Sequence, residues 1–592
     1  MSLPPGPRYL LQLAFPCLPP SIAVYVILNV FVTRGASIPC WFIALSALLS
    51  RPAFLLVCHF LSEMSNWVDA RRKGALMVPR VYDRWPGGLS IVAAMVKNFK
   101  TGGPGDVFLQ WREQYGNTYS LKIIGENRIF TFEPEHIKAI LATQFDDFEK
   151  GPIFHSQFTT LLGTGVFNSD GDMWKFHRTI TRPFFSKERI SHFDVFDRHA
   201  EDALEQAHSR LTAGYPIDFQ DLVSRFTLDS ATEFLFGNDV RSLSAGLPYP
   251  PSPPSYPPSP ASNDEHPSTR FVNAFIAGQT LSSLRSRYGP SWALVEFWYD
   301  RVRPHRAVVD EFTEPILEEA LRNNHARRAL GEQEKEDEEA NSGTLLDHLV
   351  CQTQDRQVLK DELTNLLVAA RDTTASLLTF AMYMLTQHPA IVTRLRAEIL
   401  CTVGTARPTY EHIKEMKYMR AFINETLRLH PPVPFDSRTS NKATTWPVTR
   451  TNPGPSARPF YIPAHTKCTY GVFLMHRRTD LWGPDALTFD PDRFLDARVH
   501  TYLTPNPFIF LPFNAGPRIC LGQQFAYNEA SFLLTRLLQR FAHFSLAPPT
   551  SDDGVRPGVH LTMYVKGGLW VRMEPAPLEM DVNTEAEGLG VE

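Results

Sequence analysis

The sequence predicts a mainly α-helical protein with small β-sheets, an α+β fold class, whose N-terminal region anchors it to a membrane. Beyond residue 85, apolar residues recur at helical spacing over most of the chain. Short runs of alternating apolar and polar residues interrupt this pattern and predict a few strands. Ahead of it, the uncharged apolar stretch 9–33 is long enough to cross a bilayer. Together these observations predict a helical globular body behind a hydrophobic anchor.

The composition excludes several classes of protein. The chain has 592 residues, with 59 basic and 63 acidic side chains and a formal charge of −4. This balance argues against a nucleic-acid partner, which usually requires a concentrated basic surface. The odd number and wide spacing of the cysteines, without any C-x-x-C pair, argue against a disulfide framework or a zinc ribbon and favour a reducing compartment. They are Cys17, Cys40, Cys58, Cys351, Cys401, Cys468 and Cys520.

Residues 1–84 are the predicted membrane-anchor region and linker. We expect one anchor helix in the stretch 9–33, because it contains no charged side chain. Three prolines should kink or shorten this helix: Pro16, Pro19 and Pro20. A cleaved secretory signal is the alternative, but no basic segment leads into a short apolar region with a small-residue cleavage site.

A second apolar stretch follows at residues 40–61. Arg51 and Pro52 interrupt it, so a second span, a re-entrant piece and an interfacial helix all remain open. The basic sequence ARRK at 70–73 comes next. Because lysine and arginine are enriched on cytoplasmic flanks, this segment predicts that the main body lies in the cytosol.

The predicted globular domain extends over residues 85–575. Alternating apolar residues in TYSLKIIG and NRIFTF predict two short strands. Residues 246–267 are rich in proline and serine, which predicts a solvated polyproline-like loop. Residues 331–343 are predicted to form an acidic surface linker between helices. We expect residues 576–592 to be a disordered C-terminal tail.

The segment FNAGPRICLG places Cys520 between Gly516 and Gly522. A thiolate bound to haem iron requires a rigid loop with amides near the sulfur, and glycine permits the turns and close backbone approach that this needs. Phe513 can shield such a site, and Arg518 can pair with an acidic group of the macrocycle. The helical period of QQFAYNEASFLLTRLLQRF puts Cys520 just before a helix, whose dipole favours an anion. A buried thiol beside a turn would not explain this pattern.

FNAGPRICLG resembles the haem-thiolate signature of the cytochrome P450 superfamily in full. Further motifs, in the order of that family, extend the resemblance over residues 89–573. The resemblance implies the cytochrome P450 fold, with Cys520 as the axial ligand of the iron of haem b. It also implies that Phe513, Gly516 and Arg518 belong to the cofactor-binding loop.

A second motif, NETLRLHPPVP, places Glu425 and Arg428 three residues apart on one helical face. A carboxylate and a guanidinium at this spacing can form a fork-like pair, although E-x-x-R alone is not specific. Together with FDPDRF, the motif resembles the buried triad of the family, here Glu425, Arg428 and Arg493. The resemblance implies a structural role, in which the triad fixes the loop under the haem.

Haem propionates need cations beside the pocket, and the sequence offers three candidates. DMWKFHR places Trp174 and Arg178 one helical turn apart, and the resemblance assigns propionate binding to this pair and to Arg518. Arg438 in VPFDSR is a further candidate, for which a solvated surface charge is the alternative. Two histidines have no partner at metal-ligand spacing and are predicted to be structural or exposed: His177 and His476.

The stretch TNLLVAARDTTASLLTF has apolar residues over most of its circumference, which predicts a helix through the centre of a large domain. Asp372 and Thr373 in this helix resemble the acid–alcohol pair of the family, which handles protons during oxygen activation. Ala370 stands where the family pattern has glycine, so we expect a narrower groove. Thr373 can bond back to a helix carbonyl and bend the helix. A purely structural origin of these polar residues is the alternative.

The resemblance implies a monooxygenase that inserts one oxygen atom from O2 into a lipophilic substrate. Its cofactor would be haem, and NADPH would supply electrons singly through NADPH-cytochrome P450 reductase. The protein would lie in the endoplasmic reticulum membrane with its catalytic domain facing the cytosol. An electron-independent haem-thiolate isomerase or dehydratase is one alternative, against which the Asp372–Thr373 pair argues. A non-enzymatic membrane protein is another, against which the full set of haem-site residues argues.

The segments KGPIFHSQFTTLLGTGVFNSDGDMWKFHR and FTLDSATEFLFG resemble fungal membrane-bound hydroxylases of alkanes and fatty acids. The candidate pocket residues, by position in that pattern, are all apolar: Phe154, Phe158, Val368, Val433 and Phe435. An apolar pocket also suits terpenoids and polycyclic aromatic hydrocarbons. The substrate therefore stays open, as does a role in lipid metabolism, detoxification or secondary metabolism.

Overall fold

Helices dominate the structure, a computed structural model that describes residues 3–15, 18–123, 126–191, 193–250, 266–329, 343–450, 457–548 and 554–577. The α-helices are α1 Pro5–Ala14, α2 Leu18–Thr33, α3 Cys40–Arg72, α4 Leu89–Thr101, α5 Asp106–Tyr115, α6 Pro134–Lys138, α7 Gly151–Leu162, α8 Gly171–Thr181, α9 Lys187–Ile190, α10 Asp194–Thr212, α11 Phe219–Phe236, α12 Pro267–Tyr288, α13 Trp292–Val295, α14 Arg303–Ala329, α15 Leu345–Gln352, α16 Arg356–Leu367, α17 Thr373–Gln387, α18 Pro389–Thr402, α19 Tyr410–Glu415, α20 Lys417–Leu429, α21 Val472–Met475, α22 Thr479–Trp482 and α23 Gln523–Arg540.

The β-strands are short. They are β1 Leu76–Met77, β2 Thr118–Ile123, β3 Glu126–Thr131, β4 Phe148–Glu149, β5 Ile217–Asp218, β6 Asp436–Ser440, β7 Thr444–Trp446, β8 Phe460–Ile462, β9 Lys467–Tyr470, β10 Phe541–Leu546, β11 Pro557–Val559, β12 Met563–Val565 and β13 Trp570–Pro575. The predicted fold class, mainly α with small β-sheets, is therefore confirmed.

The strands form four small sheets. The largest has the order β2-β3-β9-β6-β4, two have three strands in the orders β1-β8-β7 and β10-β13-β5, and β11 pairs with β12. The strands predicted in TYSLKIIG and NRIFTF are β2 and β3, which pair antiparallel with Thr118 opposite Thr131. Residues 124–125 between them lie outside the described part of the chain.

A long buried helix runs through the core, as the sequence predicted. It consists of α16, a π-helical turn at Val368–Asp372 and α17. The Asp355 side chain caps its start by accepting hydrogen bonds from the N–H groups of Gln357 and Val358. Its apolar side chains are buried in two clusters that also contain residues of α11, α12 and α23. The helix therefore packs against α12 at one side and against α23, which begins three residues after Cys520, at the other.

The first apolar stretch, 9–33, does not form one helix. α1 and α2 meet at a bend of 46°, and only together are they long and apolar enough to span a bilayer. The break contains the region where Pro16 was expected to kink the helix, although residues 16–17 themselves lie outside the described part. The anchor expected in this stretch is therefore present as a bent pair of helices, with the kink that its prolines predicted.

The second stretch was expected to be broken at Pro52, and it is not. α3 continues through this proline and is the one described helix that by itself has the length and composition of a membrane span. α3 packs along α2, and the hydroxyls of Ser21 and Ser50 lie 3.2 Å apart at their contact. Arg51 donates a hydrogen bond to the carbonyl of Ala14 (3.3 Å), which satisfies a carbonyl at the end of α1.

Three predicted segments lie mostly outside the described residues. Of the proline-rich loop 246–267, only the ends are described, and α12 begins at Pro267. The acidic linker 331–343 lies outside except for its last residue. The C-terminal tail predicted at 576–592 lies outside beyond residue 577.

Candidate active site

Cys520 lies in a tight loop that precedes α23. Its N–H donates to the carbonyl of Phe513 (3.0 Å), and a 3-10 turn at Gly516–Arg518 closes the loop. Gly516 has a φ of +68°, and a Cβ there would lie 1.9 Å from the carbonyl oxygen of Leu141. This position therefore requires glycine, both for its left-handed backbone and for the close approach.

The thiol of Cys520 is solvent-accessible, yet it lies in a recess of the protein. Burial in this recess raises its pKa, although the N–H of Gly522 and the charge of Arg178 act in the opposite direction. The protein groups alone therefore leave the pKa of the thiol raised, and a bound metal ion would lower it. Gly522 itself has a φ of −82°, so the expected special turn at that residue is wrong.

Two arginines lie over the buried ring of Trp174. The guanidinium of Arg518 is 4.5 Å from the ring centroid and that of Arg178 is 6.0 Å from it. Arg178 donates to the carbonyl of Ile519 (2.7 Å), next to Cys520 in the chain. Arg518 pairs with Asp170 at 2.7 Å, but its buried Nε has no hydrogen-bond partner among the described residues. The structure thus brings the predicted tryptophan and two of the predicted cations to the cysteine loop.

Arg438 belongs to a buried charge cluster that the sequence did not reveal. It donates to one oxygen of Asp436 (2.8 Å), and Lys150 donates to the other (2.8 Å). Although burial opposes ionisation, Arg438 and Lys150 hold the pKa of Asp436 well below its usual range. Burial lowers the pKa of Lys150 to about 8. The Tyr470 hydroxyl donates to Asp436 and lies 3.3 Å from Oδ1 of Asn514, which connects this cluster to the cysteine loop.

Thr373 bonds back to its own helix, as the sequence suggested. Its hydroxyl donates to the carbonyl of Ala369 (2.6 Å), at the junction between the π turn and α17. The π turn contains Ala370, the residue that replaces the usual glycine. The helix therefore departs from α geometry at this point although the residue is alanine.

Asp372 is buried, and both of its carboxylate oxygens accept hydrogen bonds. Gln279 of α12 donates to Oδ2 (2.6 Å), and Arg371 donates to Oδ1 (2.5 Å). Sequence reasoning did not identify Gln279, which lies 93 residues away in the chain. The structure thus holds the carboxylate of Asp372 between α12 and the central helix.

Glu425, Arg428 and Arg493 meet in the core as predicted, and each is almost completely buried. Arg428 donates from Nε and Nη2 to the two oxygens of Glu425, each at 2.7 Å. Arg493 lies 3.4 Å from the same carboxylate and also pairs with Asp485 at 3.0 Å. The carboxylate is therefore shared by two guanidinium groups.

His476 connects this triad to the cysteine loop. Its Nδ1 lies 3.1 Å from the carbonyl of Arg428, and the N–H of Leu511 donates to its Nε2 (3.0 Å). Burial lowers the pKa of His476 to about 3, so the ring is neutral at physiological pH. Both ring nitrogens of His476 are thus engaged with the backbone. His177 is buried as well, with its Nδ1 2.9 Å from Glu362.

The family model described as Cytochrome P450 matches residues 85–559, most of the chain. The chain belongs to the cytochrome P450 family. Cytochrome P450 52A3-A of Candida maltosa is 35% identical over 502 residues, which cover 82% of this chain and 88% of the relative. Cytochrome P450 monooxygenase pvhE of Talaromyces variabilis is 33% identical over 537 residues, 85% of this chain and 91% of the relative. Cytochrome P450 monooxygenase g430 of Fusarium sp is 34% identical over 504 residues, with 82% and 83% covered.

These matches confirm the family resemblance of FNAGPRICLG and the further motifs. The protein is a cytochrome P450 monooxygenase by family, and haem is the cofactor of that family. A membrane protein that keeps only the fold is therefore the wrong alternative.

The candidate pocket residues of this P450 fall into separate groups. The rings of Phe154 and Phe158 stack at 4.5 Å, and both pack in the same apolar cluster as Val368. Phe435 packs in the other large cluster, while Val433 is 39% exposed. The five residues therefore belong to different parts of the apolar packing.

Sequence reasoning also missed a buried acid close to Thr373. Glu529 of α23 is almost completely buried, and burial raises its pKa to about 8, while the hydroxyl of Thr374 lowers it. The sequence indicates Glu529 only as a carboxylate within the otherwise apolar helical pattern of QQFAYNEASFLLTRLLQRF. Neither this residue nor Gln279 has a specific motif of its own.

Proposed function

We propose that this P450 inserts one oxygen atom of O2 into a C–H bond of a lipophilic substrate, with electrons from NADPH delivered by NADPH-cytochrome P450 reductase. In this reaction one oxygen atom enters the substrate as a hydroxyl group. The other leaves as water after taking up two electrons and two protons. The observation that carries the proposal is the cysteine loop, where the accessible thiol of Cys520 lies beside Trp174 and two arginines.

The residues of this loop fit haem. Cys520 would bind the iron, and the N–H of Gly522 and the charge of Arg178 favour its anionic form. The buried Nε of Arg518 lacks a protein partner among the described residues, so it suits an acidic group of the macrocycle. Arg438 would be a further cation on this side, although Asp436 already neutralises part of its charge. Haem with a thiolate ligand supplies the oxygen-activating chemistry.

The remaining site residues would supply protons and hold the cysteine loop in position. Asp372 and Thr373 would hold exchangeable protons beside the reacting oxygen, which is general acid catalysis. The hydrogen bonds from Gln279 and Arg371 fix the carboxylate of Asp372 in one orientation. The buried Glu425 triad would maintain the backbone around the cysteine loop through His476.

We place this P450 in the endoplasmic reticulum membrane with its catalytic domain in the cytosol. The support is α3, which is long and apolar enough to span a bilayer, and the bent pair of α1 and α2. Arg71 and Arg72 at the end of α3 are followed by Lys73, and such basic flanks favour the cytosolic side. Alkaline carbonate extraction and protease protection of microsomes test the membrane attachment and the orientation.

The absorption spectrum of the reduced, carbon monoxide-treated protein tests the thiolate ligand. We expect the thiolate-type Soret shift in the wild-type protein and its loss in Cys520→Ala. A folded wild-type protein without this shift would overturn the proposal.

Turnover with purified reductase tests the reaction type. Product formation should require NADPH, reductase and O2, and it should consume NADPH in proportion to product; an isomerase or dehydratase would need none of these. Candidate substrates are an n-alkane, a fatty acid, a terpenoid and a polycyclic aromatic hydrocarbon.

Thr373→Ala should keep the Soret shift and divert electrons to peroxide and water. Thr379→Ala is the matched control, because Thr379 makes the same type of back-bond (2.7 Å) farther along α17.

A further inference from the structure

The carboxylate of Asp170, the residue before α8, accepts four hydrogen bonds from two other parts of the chain. Three donors lie at the N-terminal end of α7: the N–H groups of Lys150 (2.8 Å) and Gly151 (2.9 Å), and the ring of His155 (2.9 Å). The fourth donor is the guanidinium of Arg518 in the cysteine loop (2.7 Å). Because an ionised carboxylate has about four acceptor sites, the side chain of Asp170 is fully engaged.

Capping of its own helix does not explain these contacts. Asp170 stands at the N-cap position of α8, yet its side chain makes no capping hydrogen bond to that helix. Aspartate is favoured at this position because its carboxylate usually accepts from the first N–H groups of the helix. Asp172, two residues later, is fully exposed and lies 3.4 Å from Lys175. The side chain of Asp170 is therefore directed to α7 and Arg518 instead.

Arg518 is held in one orientation by its neighbours. Its Nη2 donates to Asp170 and to the carbonyl of Ser169 (3.1 Å), and its guanidinium lies 4.5 Å from the ring centroid of Trp174. The side chain is only 8% exposed. Its buried Nε has no hydrogen-bond partner among the described residues. The guanidinium is thus fixed with one donor left for a further acceptor.

Asp170 also offsets an unfavourable charge next to Arg518. The positive charge of Arg438 acts on Arg518, and the carboxylate of Asp170 acts in the opposite direction. In addition, a long arginine side chain loses much rotamer freedom when it is fixed. A contact that fixes it before a ligand binds reduces this cost at the binding step. Asp170 would therefore strengthen a bond that Nε of Arg518 makes to a ligand.

We propose that Asp170 is a positioning residue for haem: it holds the guanidinium of Arg518 against Trp174, so that Nε of Arg518 donates to an acidic group of the macrocycle. The proposal rests on the haem site of the proposed function and adds to it a residue that acts through Arg518. The same carboxylate also fixes the N-terminal end of α7. The two roles of Asp170 are separable, because only the first one requires Arg518.

Haem loss from the full-length protein to excess apomyoglobin tests this role. Arg518→Gln removes the bond from Nε, so we expect the rate of haem loss to rise about 10- to 100-fold, as for the loss of a charge-assisted hydrogen bond. Asp170→Asn should raise this rate on the order of 10-fold, because Arg518 regains its rotamer freedom. The double variant should lose haem no faster than Arg518→Gln alone. Asp172→Asn is the matched control and should behave as the wild type.

The reduction potential of the haem is a second measurement, for which a purely structural role predicts no particular sign. Reduction adds negative charge to the haem, so removal of a nearby carboxylate favours it and removal of a nearby guanidinium opposes it. The potential should therefore rise in Asp170→Asn and fall in Arg518→Gln. The double variant has the net charge of the wild type, so its potential should return toward the wild-type value. Asp170→Glu keeps the negative charge and should keep most of the wild-type potential.

The outcomes separate this proposal from the proposed function, because neither measurement needs substrate turnover. A wild-type protein with the thiolate-type Soret shift but without product refutes the monooxygenase reaction alone. Additive effects of Asp170→Asn and Arg518→Gln on haem loss would make Asp170 a structural residue of α7 and overturn the inference. Equal haem loss in Asp170→Asn and Asp172→Asn would also overturn it. If Asp170→Asn retains no haem, Asp170→Glu with and without Arg518→Gln provides the same comparison.

Discussion

The side-chain amide of Gln279 donates a 2.6 Å hydrogen bond to the carboxylate of Asp372. Both residues are buried, and the bond joins α12 to the π turn of the central helix. Arg371 holds the other oxygen of the same carboxylate at 2.5 Å. The orientation of the proposed proton-handling acid therefore depends on the packing of α12 against the central helix.

Gln279→Leu should reduce the coupling of NADPH consumption to product. The leucine cannot donate to Asp372, so the carboxylate loses one of the two groups that orient it. We expect product per NADPH to fall by about one order of magnitude, less than the ~100-fold or larger loss typical of removing a catalytic acid itself. Product, peroxide and NADPH are measured together, and the Soret shift should be unchanged.

Gln357→Leu is the matched control for this change. Gln357 donates to Asp361 (2.9 Å) on the same long helix, away from Asp372. If both variants uncouple to the same extent, the effect comes from a general loss of helix packing, and Gln279 has no special position.

The sequence predicted the parts of the site that are close in the chain. The loop around Cys520 and the pair Glu425–Arg428 depend on spacings of a few residues, which a motif can record. The bond between Gln279 and Asp372 spans 93 residues, and that between Lys150 and Asp436 spans 286. Only the tertiary fold creates these contacts, so no local pattern could predict them.

The buried triad should be needed for haem incorporation. Glu425→Gln removes the negative charge between Arg428 and Arg493, which leaves two buried cations without their shared counter-ion. Breaking a buried ion pair typically costs about 3–5 kcal/mol. We therefore expect a strongly lowered haem-to-protein ratio and a lower thermal midpoint in full-length protein. Both are measured on the purified protein, by pyridine haemochrome and by loss of the Soret band on heating.

An exposed ion pair next to the triad provides the control. Arg394 and Asp492 lie 2.7 Å apart, but their side chains are 51% and 39% exposed. Asp492→Asn should cost no more than about 1 kcal/mol and leave the haem content unchanged, because solvent screens such a pair. Equal effects of Glu425→Gln and Asp492→Asn would contradict the structural role of the triad.

Gly516 should tolerate no side chain. In Gly516→Ala the added Cβ would lie 1.9 Å from the carbonyl oxygen of Leu141, and the residue already has a φ of +68°. The loop must therefore shift, and we expect little or no thiolate-type Soret shift. Gly522→Ala is the control in the same loop, since its φ is −82° and the added Cβ would meet only the ring of Phe185 at 3.6 Å. A normal spectrum for Gly516→Ala would show that the loop does not depend on this turn.

The membrane region shows why a local rule can fail. Pro52 predicts a break because it removes a helix hydrogen bond, yet α3 continues through it. The neighbouring α2, the Ser21–Ser50 contact and the bond from Arg51 to Ala14 are all tertiary features. A proline rule that considers one helix alone does not include them. The bend between α1 and α2, by contrast, lies where the sequence placed its prolines.

Glu529 should make the stability of this P450 fall as the pH rises from about 5 to 8. Its pKa is raised from 4.5 to about 8 by burial in the folded protein, so the unfolded chain loses the proton at a lower pH than the folded one. Between these values the folded state binds more protons, and stability falls with pH. Three pH units in this interval correspond to at most about 4 kcal/mol.

Glu529→Gln removes this contribution, so the variant should gain most in thermal midpoint at pH 8 and least at pH 5. Glu574→Gln, at an exposed position, should shift the midpoint equally at both pH values. Parallel pH profiles for wild type and Glu529→Gln would mean that Glu529 is ionised in the folded protein at neutral pH.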